Sequence, residues 1–99
     1  MEERIELGGN INLVGFKDIE QGKLVVVKKI VGNFVKKIQD QNKDFQKVTV
    51  TLKPVHESKY EINTHLTINN KDYVADVTDF NLFFTLDKCL EKSFKQIQT

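Results

Sequence analysis

The chain has 99 residues, of which 39% are hydrophobic and 29% are charged, the composition of one soluble globular domain. The chain has 15 basic and 14 acidic residues, and the resulting net charge of +1 excludes a uniformly basic nucleic-acid-binding protein. The one cysteine, Cys89, excludes an internal disulfide and fits a reducing cytoplasm. No apolar run approaches the ~20 residues of a membrane span, and the acidic N-terminus lacks the apolar core of a signal peptide. We therefore expect a single cytoplasmic domain over residues 1–99.

The first predicted element is a strand from Arg4 to Val14, because its apolar residues fall on odd positions. The Gly8-Gly9 pair is expected to weaken this strand or to introduce a bulge. From Lys23 to about Gln41 the hydrophobic period changes to 3.6 residues, with one apolar arc of about 140°, which predicts an amphipathic helix. Asp18 is its candidate N-cap, and a later start of the helix is the alternative. The residues of this arc are Leu24, Val27, Ile30, Val31, Phe34, Val35 and Ile38. We expect Phe34→Ala to reduce the free energy of unfolding by about 3–5 kcal/mol, as truncation of a large core side chain does.

Three strands are predicted after this helix. The first contains Val48, Val50 and Leu52, and Pro54 is expected to end its pairing. The second runs from residue 59 to 68 and the third from residue 73 to 77. The segment Asn69-Asn70-Lys71-Asp72 between them is a hairpin-turn signal, because Asn tolerates a positive φ. One polar face along the long strands predicts an antiparallel sheet that is open to water on one side.

The last predicted element is a helix capped by Thr78 or Asp79. Its apolar stripe consists of Phe83, Leu86, Leu90, Phe94 and Ile97. The first two strands, separated by a helix, are expected to be parallel neighbours joined by a crossover. The order of periods therefore predicts an α+β two-layer sandwich, β-α-β-β-β-α, with a four-stranded sheet and both helices on one face, like a double-stranded-RNA-binding domain.

The lysines of the two helices are the candidate RNA-binding residues. Fourteen of the 15 basic residues are Lys, which suits phosphate contact better than bidentate base reading. The candidates are Lys28, Lys29, Lys36 and Lys37 on the first helix and Lys88, Lys92 and Lys95 on the second. If the two rows merged, they would form one basic surface for RNA phosphates. The alternative is two ordinary solvated helix faces, since Asp87 and Glu91 flank the second row.

The segment Pro54 to Tyr60 has the spacing P-x-H-x-x-x-[FY], which resembles the minor-groove loop of double-stranded-RNA-binding domains. Lys53 replaces the Gly that precedes this motif, and the last helix lacks the basic KKxAK start, so an ordinary hairpin turn is the alternative. We expect His56→Ala to be tolerated. The two histidines, His56 and His65, are too few for a metal site, and Cys89 beside the apolar stripe is expected to be a small buried hydrophobe. No nucleophile elbow, P-loop or dinucleotide fingerprint is present, so we predict no enzyme, cofactor or metal.

The order of elements and the last 40 residues resemble the ribosome hibernation family, also called ribosome-associated inhibitors or sigma-54 modulation proteins. The resemblance lies in the strand 59–68, the Asn-Asn turn, the stretch 73–76 and the helix 81–95, where D-K-C-L-E-K matches the family's D-K-L-E with one inserted residue. It implies that the protein binds ribosomal RNA of the small subunit near the decoding region, as a monomer or weak homodimer, with the helix lysines on rRNA phosphates. The alternative is a small protein–protein interaction module, which the near-neutral charge and the Tyr, Thr and Asn side chains of the open sheet face support.

Overall fold

A computed structural model of the protein describes residues 4–55 and 58–97, which form one mixed sheet and two helices. The strands are β1 (Arg4–Leu7), β2 (Ile11–Val14), β3 (Phe45–Val55), β4 (Lys59–Ile68) and β5 (Lys71–Asp79), and the helices are α1 (Gln21–Gln41) and α2 (Leu82–Ile97). The strands lie side by side in sequence order, with β2 and β3 parallel and all other neighbours antiparallel. The α+β class and the parallel neighbours around α1 are confirmed. Of the helices described, none has the length and apolar character needed to cross a lipid bilayer.

The prediction of four strands is wrong, because the first predicted strand is a hairpin of β1 and β2. Gly8 and Gly9 have φ values of 65° and 81° and make a turn instead of a bulge. Leu7 pairs with Ile11 across this turn. The loop between these partners has an odd number of residues, so odd positions pair with odd positions and stay on one face. In a hairpin of this kind, apolar and polar residues alternate along the sequence as they do in one continuous strand. The extra strand and the parallel pair also distinguish the sheet from that of a double-stranded-RNA-binding domain.

The core lies between one face of the sheet and the two helices, which also contact each other. In α1 the buried residues are Leu24, Val27, Val31, Val35 and Ile38, as the helical period predicts. Ile30 and Phe34 are only half-buried, because they lie on the side of α1 that faces α2. Phe16, in the connection after β2, is 1% exposed and is the largest fully buried side chain. The sequence pattern places it in a connection and misses its role in the core.

The buried side of α2 is rotated from the predicted stripe. Phe83, Phe94 and Ile97 are half-buried, whereas Thr85, Cys89 and Ser93 are fully buried. This rotation follows from the position of α2, which packs on β4 and β5 and turns its Phe83 and Phe94 side toward α1. Small residues on the buried side allow the close approach of the helix to the sheet. The buried residues of α2 are Leu82, Thr85, Leu86, Cys89, Leu90 and Ser93.

The hairpin turn at Asn69-Asn70 is confirmed, with φ values of 51° and 62°. The side chain of Gln46 on β3 supports the turn, since its Oε1 accepts from the Asn70 backbone N–H at 2.6 Å and its Nε2 donates to Asn70 Oδ1 at 3.1 Å. Pro54 does not end the pairing of β3, because it pairs with Tyr60. β2 ends opposite Thr51, so Pro54 lies where β3 has a neighbour on one side only, and such a strand position tolerates a missing N–H.

The helix starts also differ from the predicted caps. Asn81 caps α2, since its Oδ1 accepts from the Phe84 N–H at 2.9 Å. Asp79 instead accepts from the Phe80 N–H through its Oδ1 at 2.6 Å, and Thr78 belongs to β5. Helix α1 begins after Glu20 instead of Asp18, and no side chain caps it. Both predicted caps lie too early because the turns that precede the helices are longer than the sequence pattern indicates.

Candidate nucleic-acid interface

Helix α1 presents most of its lysines to solvent. Lys28, Lys29 and Lys36 are exposed, and no carboxylate in the described part of the chain forms an ion pair with them. Lys29 and Lys36 are seven residues apart and share one side of the helix, about 100° around the axis from Lys37. Lys37 lies on the side that faces α2, where its Nζ is 4.3 Å from the centroid of the Phe94 ring. The α1 row therefore divides into three solvated ammonium groups and one that packs on an aromatic ring.

The lysines of α2 all have partners close by. Lys88 Nζ is 5.7 Å from the centroid of the Phe84 ring, and Lys95 Nζ is 3.6 Å from Glu91 Oε1. Lys92 Nζ donates to the backbone carbonyl oxygen of Asp76 on β5 at 3.2 Å. The backbone carbonyl does not neutralise the Lys92 charge, so this ammonium group still attracts anions. Glu91, in contrast, compensates part of the charge of Lys95.

The two lysine rows do not form one continuous basic surface. A groove of about 580 Å³ runs between α1 and α2. Its lining is Ile30, Asn33, Phe34, Lys37, Asp87, Leu90, Glu91, Phe94 and Lys95. Asp87 and Glu91 put negative charge between the rows, and Phe34 and Phe94 meet edge to face with ring centroids 6.5 Å apart. The structure thus brings Lys37 and Lys95 to one groove and leaves the other candidate lysines on its two outer sides.

Two exposed phenylalanines were missed by the sequence reasoning. Phe80 is 60% exposed and Phe84 is 48% exposed, and both lie where β5 passes into α2. The signal for Phe84 is the Phe83-Phe84 pair, because adjacent residues of a helix are about 100° apart and only one of them can face the core. Lys59 Nζ lies 5.1 Å from the centroid of the Phe80 ring, so each exposed ring has a lysine beside it.

The open face of the sheet is polar. Its middle row consists of the neighbouring Cα partners Asn12, Thr49, His65 and Val74 on β2 to β5. His65 Nε2 is 3.0 Å from Asp72 Oδ1, and Thr67 Oγ1 donates to the same oxygen at 3.0 Å. These hydrogen bonds, first that of His65 and then that of Thr67, lower the pKa of Asp72 below its ordinary value of 3.8. His65 therefore interacts with a hairpin carboxylate.

Cys89 is enclosed between α2 and the sheet, as predicted. Its Sγ lies 3.2 Å from the backbone carbonyl oxygen of Ile62, 3.4 Å from that of Ala75 and 3.5 Å from Thr64 Oγ1, and its single S–H can donate to either carbonyl. Burial raises the pKa of the thiol, although the hydrogen bond with Thr64 opposes this shift. A protonated and enclosed thiol is a poor nucleophile. Within residues 4–55 and 58–97, no group of three His, Cys, Asp or Glu side chains could hold a metal ion.

The loop that resembles a minor-groove loop is only partly described. His56 and Glu57 lie outside the described residues, so their predicted place in the turn stays a prediction. Ser58, which follows them, has a φ of 62°.

Comparison with known proteins gives a shared fold. No family model matches the chain, and no curated protein matches it. Among solved structures, the crystal structure of the N-terminal domain of Thermus thermophilus Protein Y is similar, with a TM-score of 0.65 and 14% sequence identity. The similarity covers 95% of this chain and 97% of that domain, so it extends over nearly the whole fold. At this level of identity the likeness establishes the architecture alone.

Proposed function

We propose that this protein binds ribosomal RNA without catalysis, and that the small ribosomal subunit is its partner. The supporting observation is a set of seven exposed lysines, in two separate rows on two helices that contact each other. They are Lys28, Lys29, Lys36, Lys37, Lys88, Lys92 and Lys95. The sequence resembles the ribosome hibernation family, and the similarity to Protein Y is compatible with ribosome binding. The protein acts in the cytoplasm as a single domain, a monomer or weak homodimer, and needs no cofactor or metal.

Lysine chemistry determines what this surface recognises. An ammonium group on a flexible stem binds phosphate as a point charge and reads base edges poorly. Binding releases counterions from the RNA, so the affinity falls as the salt concentration rises. Because the net charge is only +1, long-range attraction is weak and binding depends on the local lysine rows. A protein of this kind recognises the shape and phosphate pattern of a folded RNA.

Co-sedimentation with purified small subunits across a salt series tests the proposal. We expect binding at low salt that weakens steadily as salt increases. The variant Lys28→Ala/Lys36→Ala should lower the slope of log affinity against log salt by about one to two units. Its matched control is Lys43→Ala/Lys71→Ala, which removes two exposed lysines that lie outside both helix rows, near the β4–β5 turn. Equal slopes for both variants, or no sedimentation of the wild type with subunits, would contradict the proposal.

The second candidate function is a protein–protein interaction module. The exposed rings of Phe80 and Phe84 favour it, since exposed aromatic residues are enriched at protein interfaces. The free edge of β5 does not, because Lys92 and Gln96 of α2 bond to its carbonyl oxygens at Asp76 and Val74. What the two rings bind therefore decides between the functions.

A further inference from the structure

The rings of Phe80 and Phe84 are exposed where folding does not require it. The core side of α2 is already filled by residues such as Leu82 and Leu86, and Phe84 lies on the solvent side. A small or charged side chain there would fit the helix at least as well, because Phe has a lower helix propensity than Ala or Lys. Phe80 lies outside the helix and is 60% exposed. Core packing therefore does not explain why either ring is exposed, whereas a role in binding explains it.

The backbone at both rings is fixed by neighbouring side chains. Asp79 Oδ1 accepts from the Phe80 N–H at 2.6 Å, and Asn81 Oδ1 accepts from the Phe84 N–H at 2.9 Å. Phe84 also lies in the first turn of α2, whose other side is buried against the sheet. Rings held in this way lose little conformational freedom when a ligand packs on them, which favours binding.

A lysine lies beside each of these rings, and the carboxylate of Asp79 lies next to the backbone of Phe80. Lys59 and Lys88 each place Nζ within 6 Å of a ring centroid, at 5.1 Å and 5.7 Å. Beyond Phe84, a shallow depression of about 370 Å³ is lined by Val77, Phe84, Lys88, Glu91, Lys92 and Lys95. Its three lysines and one glutamate give a local charge of +2, although the whole chain carries only +1. We call Lys59, Phe80, Phe84, Lys88, Lys92 and Lys95 together the aromatic–lysine surface.

We propose that the aromatic–lysine surface binds single-stranded RNA, with unpaired bases stacked on Phe80 and Phe84 and phosphates held by its lysines. Alternating aromatic and basic groups suit this ligand, because every base has a face that stacks and every nucleotide carries a negative charge. A duplex fits poorly, since its bases already stack on each other. An acidic peptide would use the charges but not the flat rings. The inference rests on the proposed RNA-binding function and adds that the RNA is unpaired at this surface.

Fluorescence anisotropy with two labelled RNA probes tests the inference. One probe is an oligouridine of about 12 nucleotides, within the ~4–16-nucleotide range of known single-strand sites, and the other is an RNA duplex of equal length. Phe80→Leu and Phe84→Leu keep an apolar side chain but lose the ring, and each should weaken oligouridine binding about ten-fold. Phe84→Trp keeps a stacking ring and should bind like the wild type. Val25→Ala is the control, since Val25 is 63% exposed on α1, away from this surface.

Each result supports or overturns the inference. Loss of oligouridine binding in both Leu variants, recovery in Phe84→Trp and unchanged duplex binding support it. Wild-type affinity in the Leu variants overturns it, and so does equal weakening for both probes. Concentration-dependent self-association that Phe84→Asp abolishes, with RNA binding unchanged, would also overturn it and would make this surface a protein interface. Because all substitutions are at exposed positions, thermal melting should show a native fold throughout.

The inference and the proposed function fail in different ways. If the Leu variants bind small subunits and oligouridine normally while Lys28→Ala/Lys36→Ala weakens subunit binding, the inference fails and the proposed function stands. If the wild type binds oligouridine through both rings but does not sediment with subunits, the ribosomal target fails and the single-strand surface stands. Absence of wild-type binding to both oligouridine and subunits overturns both.

Discussion

The carboxylate of Asp72 lies at the start of β5, where side chains of β4 surround it. It accepts hydrogen bonds from His65 Nε2 and Thr67 Oγ1, both at 3.0 Å. His65 and Asp72 are more than half exposed, with side-chain exposures of 51% and 60%. Solvent screens such a pair, so its effect is small and local. The two hydrogen bonds nevertheless favour the charged form of Asp72 in the folded protein.

The lowered pKa of Asp72 predicts a pH effect of known sign. The folded chain releases this proton more readily than the unfolded chain, whose Asp72 has a pKa near 3.8. The interaction therefore stabilises the fold above that pH, and the contribution is lost as the pH falls through the lowered pKa. An NMR titration of the Asp72 carboxyl group should give a midpoint below 3.8 in the wild type. His65→Ala should raise the midpoint more than Thr67→Val does, and an unchanged midpoint in His65→Ala would contradict the assignment.

Glycine has two different roles in the elements of the N-terminal half. Gly9 in the β1–β2 turn and Gly15 after β2 both have a positive φ, of 81° and 83°. A Cβ at Gly9 would have no heavy atom within 4 Å, whereas a Cβ at Gly15 would overlap with the carbonyl oxygen of Leu52 on β3. The first position needs the backbone freedom of glycine, and the second also needs the absence of a side chain.

The pair Gly9→Ala and Gly15→Ala separates these two roles. Gly9→Ala should reduce the free energy of unfolding by about 1–2 kcal/mol, the cost of a left-handed alanine. Gly15→Ala should cost at least about 3 kcal/mol, because the β2–β3 contact must move as well. Urea denaturation of both variants measures the difference. Similar losses in the two would mean that the chain after β2 adjusts without strain.

The side of α1 that faces α2 is less buried than its hydrophobic period predicts. The hydrophobic period predicts that Phe34 is as deeply buried as Val31. In the structure Val31 is fully buried, whereas Phe34 is half-buried beside Phe94. The reason is that a groove remains between the helices, so residues of α1 that face α2 reach solvent on one side. The helical period predicts the direction of a side chain around the helix axis, but it does not predict how close the neighbouring helix or strand lies.

Truncation of Phe34 should therefore reduce the free energy of unfolding by less than the helical period predicts. We expect Phe34→Ala to reduce the free energy of unfolding by about 2 kcal/mol, below the 3–5 kcal/mol typical of a fully buried Phe. Leu86→Ala, at a position that is 0% exposed, should cost about 2–5 kcal/mol and is the reference. Chemical denaturation measures both. A Phe34→Ala loss that exceeds the Leu86→Ala loss would show that the groove closes in solution.

Over the helix layer, Lys28, Lys29, Lys36, Lys88 and Lys92 lie outside the groove, which is lined by Lys37 and Lys95 together with two carboxylates. Asp87 and Glu91 separate the α1 row from most of the α2 row. The α2 lysines also have local partners, whereas Lys28, Lys29 and Lys36 form no ion pair in the described part of the chain. Two separated rows can contact an extended RNA at two places, but they cannot act as one phosphate site.

This separation predicts additive effects of the two rows. We expect each double variant, Lys28→Ala/Lys36→Ala and Lys88→Ala/Lys92→Ala, to weaken subunit binding. The quadruple variant should lose the sum of the two binding free energies to within about 0.5 kcal/mol. Subunit affinities at one fixed salt concentration give the values. If the quadruple variant binds subunits as tightly as the weaker-binding double variant, only one row contacts RNA.

Spacing and residue type predict correctly those elements that have long periodic segments or turns with distinctive residues. The five buried positions of α1, the β4–β5 turn at Asn69-Asn70 and the burial of Cys89 all follow from spacing and residue type. The order of hydrophobic periods likewise predicted the α+β class, which the structure shares with the N-terminal domain of Protein Y. Local rules succeed here because backbone conformation and the choice of inner and outer face are properties of short segments.

The way in which these elements lie next to one another follows from the packing of the whole chain. The β1–β2 hairpin keeps the alternation of a single strand, so the spacing of the sequence could not reveal the fifth strand. The rotation of α2, the carboxylates between the lysine rows and the meeting of Phe80 and Phe84 with Lys59 and Lys88 all depend on contacts between distant segments. A hydrophobic period fixes which side of a helix faces the core, but the neighbour of each remaining side is set only when all layers pack together.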